Sequence, residues 1–235
     1  MRWLLTSVLL CLLEGSALAA TLVEGFENVP GLFAGGGWVQ INRSSPVGPG
    51  TYLQGGSSLG PAQGGSANSF AVVSFASTGS PDGASGVGTI SNWAITPTLV
   101  YENGDTIRFW TRSGGLFPDR LELRFSANGA STDVGNSETS VGDFSTLLLT
   151  VNPNLASGGY PTAWTQFTST ISGLQTPTAG RVAFRYFVTD GGPDGGNSNI
   201  IGLDTLSITP TPEPGIAALV GIGVIGLTRR RSESR

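Results

Sequence analysis

Apolar and polar residues alternate along much of the middle of the chain, a pattern typical of β-strands with one buried face. The alternation is clearest in three segments, DTIRFWTR (105–112), DRLELRFS (119–126) and RVAFRYFVT (181–189). In the first segment, Ile107 and Phe109 share one face, and Arg108, Trp110 and Arg112 share the other. Because the period is two, each segment predicts a strand rather than a helix.

Shorter segments of the same kind predict the remaining strands, at 21–27, 38–41, 70–75, 89–97, 144–151, 164–171 and 199–209. Residues 28–31 predict a turn, and the Gly-, Ser- and Pro-rich residues 42–68 predict a long surface loop with little packing. Roughly ten short strands, each with one apolar face, indicate an all-β domain, a jelly-roll β-sandwich of two antiparallel sheets.

Both ends of the chain differ from this central domain. At the N-terminus, Arg2, the apolar run 4–13 and the small-residue site Ala17-Leu18-Ala19 predict a secretory signal peptide over residues 1–19. At the C-terminus, Pro212-Glu213-Pro214 precedes the uncharged run 215–227 and the cluster Arg229, Arg230 and Arg231. Thirteen helical residues span only about 20 Å, less than a bilayer core of about 30 Å, which predicts a transient membrane contact by a short C-terminal helix.

Composition excludes several kinds of site. The chain has no His, and its one Cys, Cys11, lies in the predicted signal peptide, so His- or Cys-based catalytic triads and the usual zinc ligands are absent from residues 20–210. The same residues contain seven Arg, thirteen Asp and Glu and no Lys, a net charge of about −6. This charge disfavours a nucleic-acid partner. A carboxylate-pair polysaccharide hydrolase is the remaining catalytic alternative, although no spacing singles out a pair.

Two resemblances refine these expectations. The C-terminal motif, apolar run and arginine cluster together (211–235) resemble a PEP-CTERM sorting signal, which implies removal by an exosortase-type membrane protease and a link to extracellular polysaccharide. Residues 20–210 are similar to the choice-of-anchor J domain, a relative of the cleaved adhesin and MAM-like jelly rolls. The similar segments are EGFE (24–27), NWAITP (92–97), DTIRFWTR (105–112), RLELRFS (120–126), GRVAFRY (180–186) and IGLD (201–204).

The resemblance also implies a structural calcium ion. Its ligands would be Glu27, after the first strand, and Asp204, on the last, with Glu24 as a weaker candidate. The alternative is that Glu27 and Asp204 are solvated residues at the sheet edge. Thr205 stands where related domains often have a second acid. Asp190 and Asp194 form another cluster of oxygen ligands, although tight turns also favour Asp and Gly.

The tryptophans divide into two groups. Trp38, Trp93 and Trp164 are predicted to fill the core, whereas Trp110 shares its strand face with Arg108 and Arg112. This face is either a platform for a sugar or a surface covered by the loop 42–68. Together these features predict an exported, noncatalytic surface or matrix protein, associated with exopolysaccharide or biofilm. A carbohydrate-binding module that uses the Trp110 face is the alternative.

Overall fold

The computed structural model describes residues 21–211, and these residues form two antiparallel β-sheets packed face to face. The elements are β1 (Leu22–Glu24), α1 (Val29–Ala34), β2 (Val39–Asn42), β3 (Leu53–Gln54), β4 (Ala71–Ser74), β5 (Gly88–Ile95), β6 (Leu99–Tyr101), β7 (Thr106–Ser113), β8 (Leu121–Ser126), β9 (Thr146–Val151), β10 (Thr165–Thr170), β11 (Thr178–Gly191) and β12 (Ile200–Thr209). The predicted β-sandwich is therefore confirmed. The two flanking helices predicted from the sequence lie outside the described residues.

Each sheet contains six strands. The first has the order β10-β7-β12-β4-β3, with β1 also paired to β12. The second has the order β2-β5-β11-β8-β9, with β6 also paired to β11. The long strands β12 and β11 are internal strands, each with neighbours on both sides in its sheet.

The core between the sheets consists of the inward residues predicted by the alternation. Ile107 and Phe109 of β7 are fully buried, and the Phe109 ring packs edge-on against Phe184 of β11 at 5.1 Å. Trp38 is also buried in this core, as predicted. Burial of such apolar area is the main favourable term in folding.

A β-bulge interrupts β12. Asp204 pairs with Trp110 of β7, and Ser207 pairs with Arg108. Between these two pairs, β12 advances by three residues and β7 by two. The extra residue, Thr205, has a φ of 46°, a left-handed conformation that is uncommon for a β-branched residue. Because of the bulge, Asp204 and Thr205 both lie beside the loop that precedes β4.

The prediction of a loosely packed surface loop at 42–68 is wrong. The segment contains strand β3 and the buried residues Tyr52 and Leu59. Its first half is held down by Asn42, whose Nδ2 donates to the carbonyls of Gly48, Gly50 and Ser77. Because hydrogen bonds from a side chain to the backbone hold this segment, its sequence does not show the apolar periodicity by which packed segments are normally recognised.

The turn predicted at 28–31 is instead the start of helix α1. Asn28 caps the helix by accepting a hydrogen bond from the Gly31 backbone N–H at 3.1 Å, and Pro30 lies in the first turn. Both residue types are known helix-start signals. No helix within residues 21–211 is long and apolar enough to cross a membrane.

Candidate functional site

Trp110 lies on the outer face of the first sheet, between Arg108 and Arg112. Arg108 is exposed, and Trp110 and Arg112 are partly exposed. Trp110 lies opposite Gln166 of β10 on one side and Asp204 of β12 on the other. We call Arg108, Trp110 and Arg112 the Trp110 face; it presents an aromatic ring with hydrogen-bond donors on both sides.

Trp164 borders this face, so its predicted place in the core is wrong. Its ring lies on the outer side of Gly202, where a Cβ would come within 2.7 Å of the indole. It packs edge-on against Phe70 at 5.5 Å, and its Nε1 donates to the Pro61 carbonyl at 2.9 Å. The glycine therefore creates a place for a large ring on an outer sheet face, which alternation alone does not predict.

Arg112 extends over Trp164, with its guanidinium carbon 6.0 Å from the ring centroid. The loop of residues 55–69 reaches the same region, because a Cβ on Gly60 would lie 3.7 Å from Arg112 Nη1. The loop therefore covers only part of this outer face. Gly202 and Asp204 lie beneath it, whereas Trp110 is partly exposed and Arg108 is exposed.

Asp204 anchors this covering loop. Its Oδ2 accepts hydrogen bonds from the backbone N–H groups of Gln63 at 2.7 Å and Gly64 at 3.2 Å. Its Oδ1 accepts from the Thr205 backbone N–H at 2.6 Å. Burial raises the pKa of Asp204, and these hydrogen bonds act in the opposite direction.

The predicted calcium ligands both border the same loop. The Glu27 carboxylate is exposed and lies next to Gly65, where a Cβ would be 3.7 Å from Glu27 Oε1. Thr205 Oγ1 lies beside Gly64, 3.2 Å from the position of a Cβ there. The fold therefore brings the first and last strands together at this loop, as the resemblance implies.

The calcium prediction depends on the acidic side chains of this region. Glu24, Glu27 and Asp204 form no salt bridge within residues 21–211. Burial raises the pKa of Glu24, and the nearby Glu27 charge raises it further. The described residues contain no group of three acidic, His or Cys side chains that could hold a metal by themselves. Calcium here would therefore need Glu27 and Asp204 together with carbonyl or amide oxygens, which calcium accepts.

Asp190, near the end of β11, and Asp194, in the loop between β11 and β12, lie at another end of the domain. Asp190 Oδ2 accepts from the Gly196 N–H, and Asp194 Oδ2 accepts from the Gly86 N–H at 2.7 Å. Both carboxylates thus tie loops together, as expected of turn residues. The same loop lines an open cleft of about 480 Å³ beside the exposed residues Leu116 and Phe117.

The outer face of the second sheet carries a buried ionic cluster that the alternation did not predict. Arg185, only 1% exposed, donates to Ser91 Oγ at 3.0 Å and to Glu122 Oε2 at 3.2 Å. Glu122 also pairs with Arg124 at 2.6 Å. Trp93 is buried here, in a second apolar cluster covered by the loop 127–145, and not between the sheets.

Comparison with solved structures identifies similar domains. The K1 cleaved adhesin domain of Lys-gingipain from Porphyromonas gingivalis W83 aligns with 82% of this chain and 99% of its own, at 23% identity and a TM-score of 0.53. The K2 cleaved adhesin domain of Lys-gingipain aligns with 81% of this chain and 99% of its own, at 19% identity and a TM-score of 0.53. A family 11 carbohydrate-binding module from Clostridium thermocellum covers 84% of this chain and 99% of its own, at 14% identity and a TM-score of 0.43.

This chain shares its fold with cleaved adhesin domains. At 23% and 19% identity, the first two likenesses extend to the fold alone. No protein-family model matches the sequence, and the comparison with curated proteins finds no match.

Proposed function

We propose that this protein is an exported, noncatalytic surface or extracellular-matrix component whose β-sandwich adheres to polysaccharide through the Trp110 face. The observation that carries the proposal is a partly exposed tryptophan flanked by two arginines on a sheet face that a loop covers only in part. Exposed aromatic rings with adjacent donors suit sugar rings, which have apolar faces and polar edges.

The positions of several acidic side chains support a noncatalytic role. Asp119 and Asp204 are fully buried, and Glu122 is held between two arginines. A hydrolase of the two-carboxylate type needs both groups in contact with substrate in a cleft. The shared fold with adhesin domains agrees with a binding role.

We expect Trp110→Ala to weaken binding to the recognised glycan by at least about tenfold, because removing about 60–100 Å² of apolar contact costs about 1.5–2.5 kcal/mol. Glycan-array binding followed by titration calorimetry measures the change. Phe117→Ala removes another exposed aromatic ring, on the loop between β7 and β8, and should leave binding unchanged. Absence of binding to every glycan would leave only a structural role.

Delivery to the surface is proposed to depend on the C-terminal segment, which lies outside the described residues. We expect a chain lacking residues 212–235 to lose its association with the cell surface, because Pro212-Glu213-Pro214, the apolar run and the arginines then are missing. Cell fractionation and immunoblotting measure this. A shorter deletion of residues 232–235 keeps the motif, the apolar run and Arg229, Arg230 and Arg231, and this chain should be delivered normally. Unchanged delivery of the larger deletion contradicts the proposal.

We also propose that Glu27 and Asp204 contribute to a structural calcium site. Chelator should then lower the unfolding midpoint by roughly 5–10 °C, since saturating a site at 100 times its Kd stabilises a protein by about 2.7 kcal/mol. Glu27→Gln should abolish the difference between chelator and calcium, whereas Glu102→Gln, in the turn between β6 and β7, should keep it. Identical melting curves of the wild type in chelator and in calcium would contradict the proposed calcium site.

A further inference from the structure

Two of the seven arginines in the described domain make no polar contact within it. Arg108 and Arg112 donate no hydrogen bond and form no salt bridge among residues 21–211. The other five each donate to a carbonyl, a hydroxyl or a carboxylate: Arg43, Arg120, Arg124, Arg181 and Arg185. Both unengaged guanidinium groups therefore lie on the Trp110 face, one on each side of the tryptophan.

The surroundings of these two arginines do not neutralise them. Arg108 lies between Thr168 of β10 and Ser207 of β12, which are uncharged. Arg112 lies opposite Gly202. Among the described residues paired with this face in the sheet, Asp204 is the acidic one; it is 0% exposed, and its oxygens accept from the N–H groups of Gln63 in the covering loop and of Thr205. The positive charge of the face is thus left for an external partner.

Arg112 is also held in place before any partner arrives. Its guanidinium lies over the Trp164 ring, and that ring is itself fixed by the hydrogen bond from Nε1 to Pro61. Arg112 Nε is buried without an acceptor. A donor that is already positioned loses less conformational entropy when it binds, and the planar guanidinium suits paired oxygens of a carboxylate or sulfate.

We infer that the Trp110 face binds an anionic polysaccharide, one whose sugars carry carboxylate or sulfate groups. A sugar ring stacks on Trp110, and its charged substituents pair with Arg108 and Arg112. The inference rests on the proposed glycan-binding role of this face and adds the charge of the ligand. Nucleic acid is the less favoured polyanion, because the domain as a whole carries a net charge of about −6 and two arginines provide few phosphate contacts.

The test compares pairs of polymers that share one sugar backbone and differ in charge. Full-length protein is titrated with polygalacturonate and its methyl ester, and with dextran sulfate and dextran. Oligothymidylate, whose bases can also stack on an aromatic ring, tests nucleic acid as the alternative polyanion. We expect at least one anionic polymer to bind tenfold or more tightly than its neutral counterpart, with affinity falling as salt rises from 50 to 500 mM. Which of the two pairs shows the difference distinguishes carboxylate from sulfate.

Variants assign the effect to the two arginines. Arg108→Gln and Arg112→Gln should each weaken binding of the anionic polymer about tenfold and leave any binding of the neutral one unchanged. Arg43→Gln removes the same charge from an exposed position directly after β2, in the region of the second sheet, and should have no effect. Circular dichroism and melting curves check that the variants fold.

Four results would overturn the inference. They are equal binding of the charged and neutral members of both pairs, no binding of either anionic polymer, an equal loss in Arg43→Gln, and oligothymidylate binding as tight as that of the polysaccharide. In the first case, loss of binding in Trp110→Ala would still support the proposed glycan-binding function. The charge of the ligand and the function of the face can therefore fail separately.

Discussion

The free energy of unfolding of Arg185→Ala is expected to be about 3–5 kcal/mol lower than that of the wild type, as is typical when one partner of a buried, hydrogen-bonded ion pair is removed. The guanidinium lies 3.7 Å from the Phe187 ring centroid and 4.9 Å from that of Trp93, so its removal also leaves a cavity between two aromatic rings. Burial lowers the pKa of Arg185 to about 10, which keeps it charged at neutral pH. Urea denaturation monitored by tryptophan fluorescence measures the loss.

Two companion variants separate the roles of charge and shape. Arg185→Lys keeps the charge but loses the planar fork that reaches Ser91 and Glu122, so its stability should fall between those of Arg185→Ala and the wild type. Arg108→Ala, at an exposed position, should change stability by no more than about 0.5 kcal/mol. A loss below about 1 kcal/mol in Arg185→Ala would show that the buried cluster contributes little to stability.

Asp119→Asn is expected to remove a large part of the pH dependence of stability between pH 4 and 7. Asp119 is fully buried; its Oδ1 accepts hydrogen bonds from Tyr186 Oη and the Asn199 N–H, and its Oδ2 has no partner. Burial raises its pKa from 3.8 to about 6. The folded state therefore holds the proton more tightly than the unfolded state does.

The direction follows from this difference. The stabilisation is fully present below about pH 3.8 and is lost as the pH rises through about 6, with a total of at most roughly 3 kcal/mol. The asparagine variant resembles the protonated form and should show a flatter profile. Glu24 and Asp204 also have raised pKa values, so some slope should remain.

The control for this experiment is an exposed carboxylate. Asp133→Asn, in the loop that covers the second sheet, should keep the wild-type slope. Unfolding free energies from urea titrations at half-unit pH intervals provide the comparison. A wild-type profile in Asp119→Asn would contradict the assignment of the pH dependence to this group.

Much of the fold was predictable because strands with unlike faces leave a local pattern. β7, β8 and β11 all lie within or around the segments where the alternation is clearest, and their inward residues form the core. β3 and β6 were not predicted, since they have only two and three residues, too few for a period to be recognised. Helix α1 is too short for a helical period to show in the sequence, so residues 28–31 predict a turn; Asn28 and Pro30 are the local signals of a helix start.

The candidate site was only partly predictable. Alternation put Arg108, Trp110 and Arg112 on one face, and the resemblance pointed to Glu27 and Asp204. Neither the alternation nor the resemblance predicted that Asp204 lies directly opposite Trp110. This pairing makes the Trp110 face and the predicted calcium ligands neighbours. Nor did it place Trp164 beside them, because that position depends on Gly202 leaving space on the outer face.

Four properties follow from the amino-acid sequence: the β-sandwich, the alternation in its long strands, the absence of His and Cys from residues 20–210, and the grouping of an aromatic ring with two arginines. The covering of the outer faces, and therefore the pairing of the charges on them, depends on the tertiary structure. Arg185 is engaged by Glu122 across 63 residues, and Asp204 holds Gln63 across 141 residues, whereas Arg108 and Arg112 are left unengaged within residues 21–211. The physical reason is that a strand's period depends on neighbouring residues, while its cover depends on loops that are distant in sequence and carry no period.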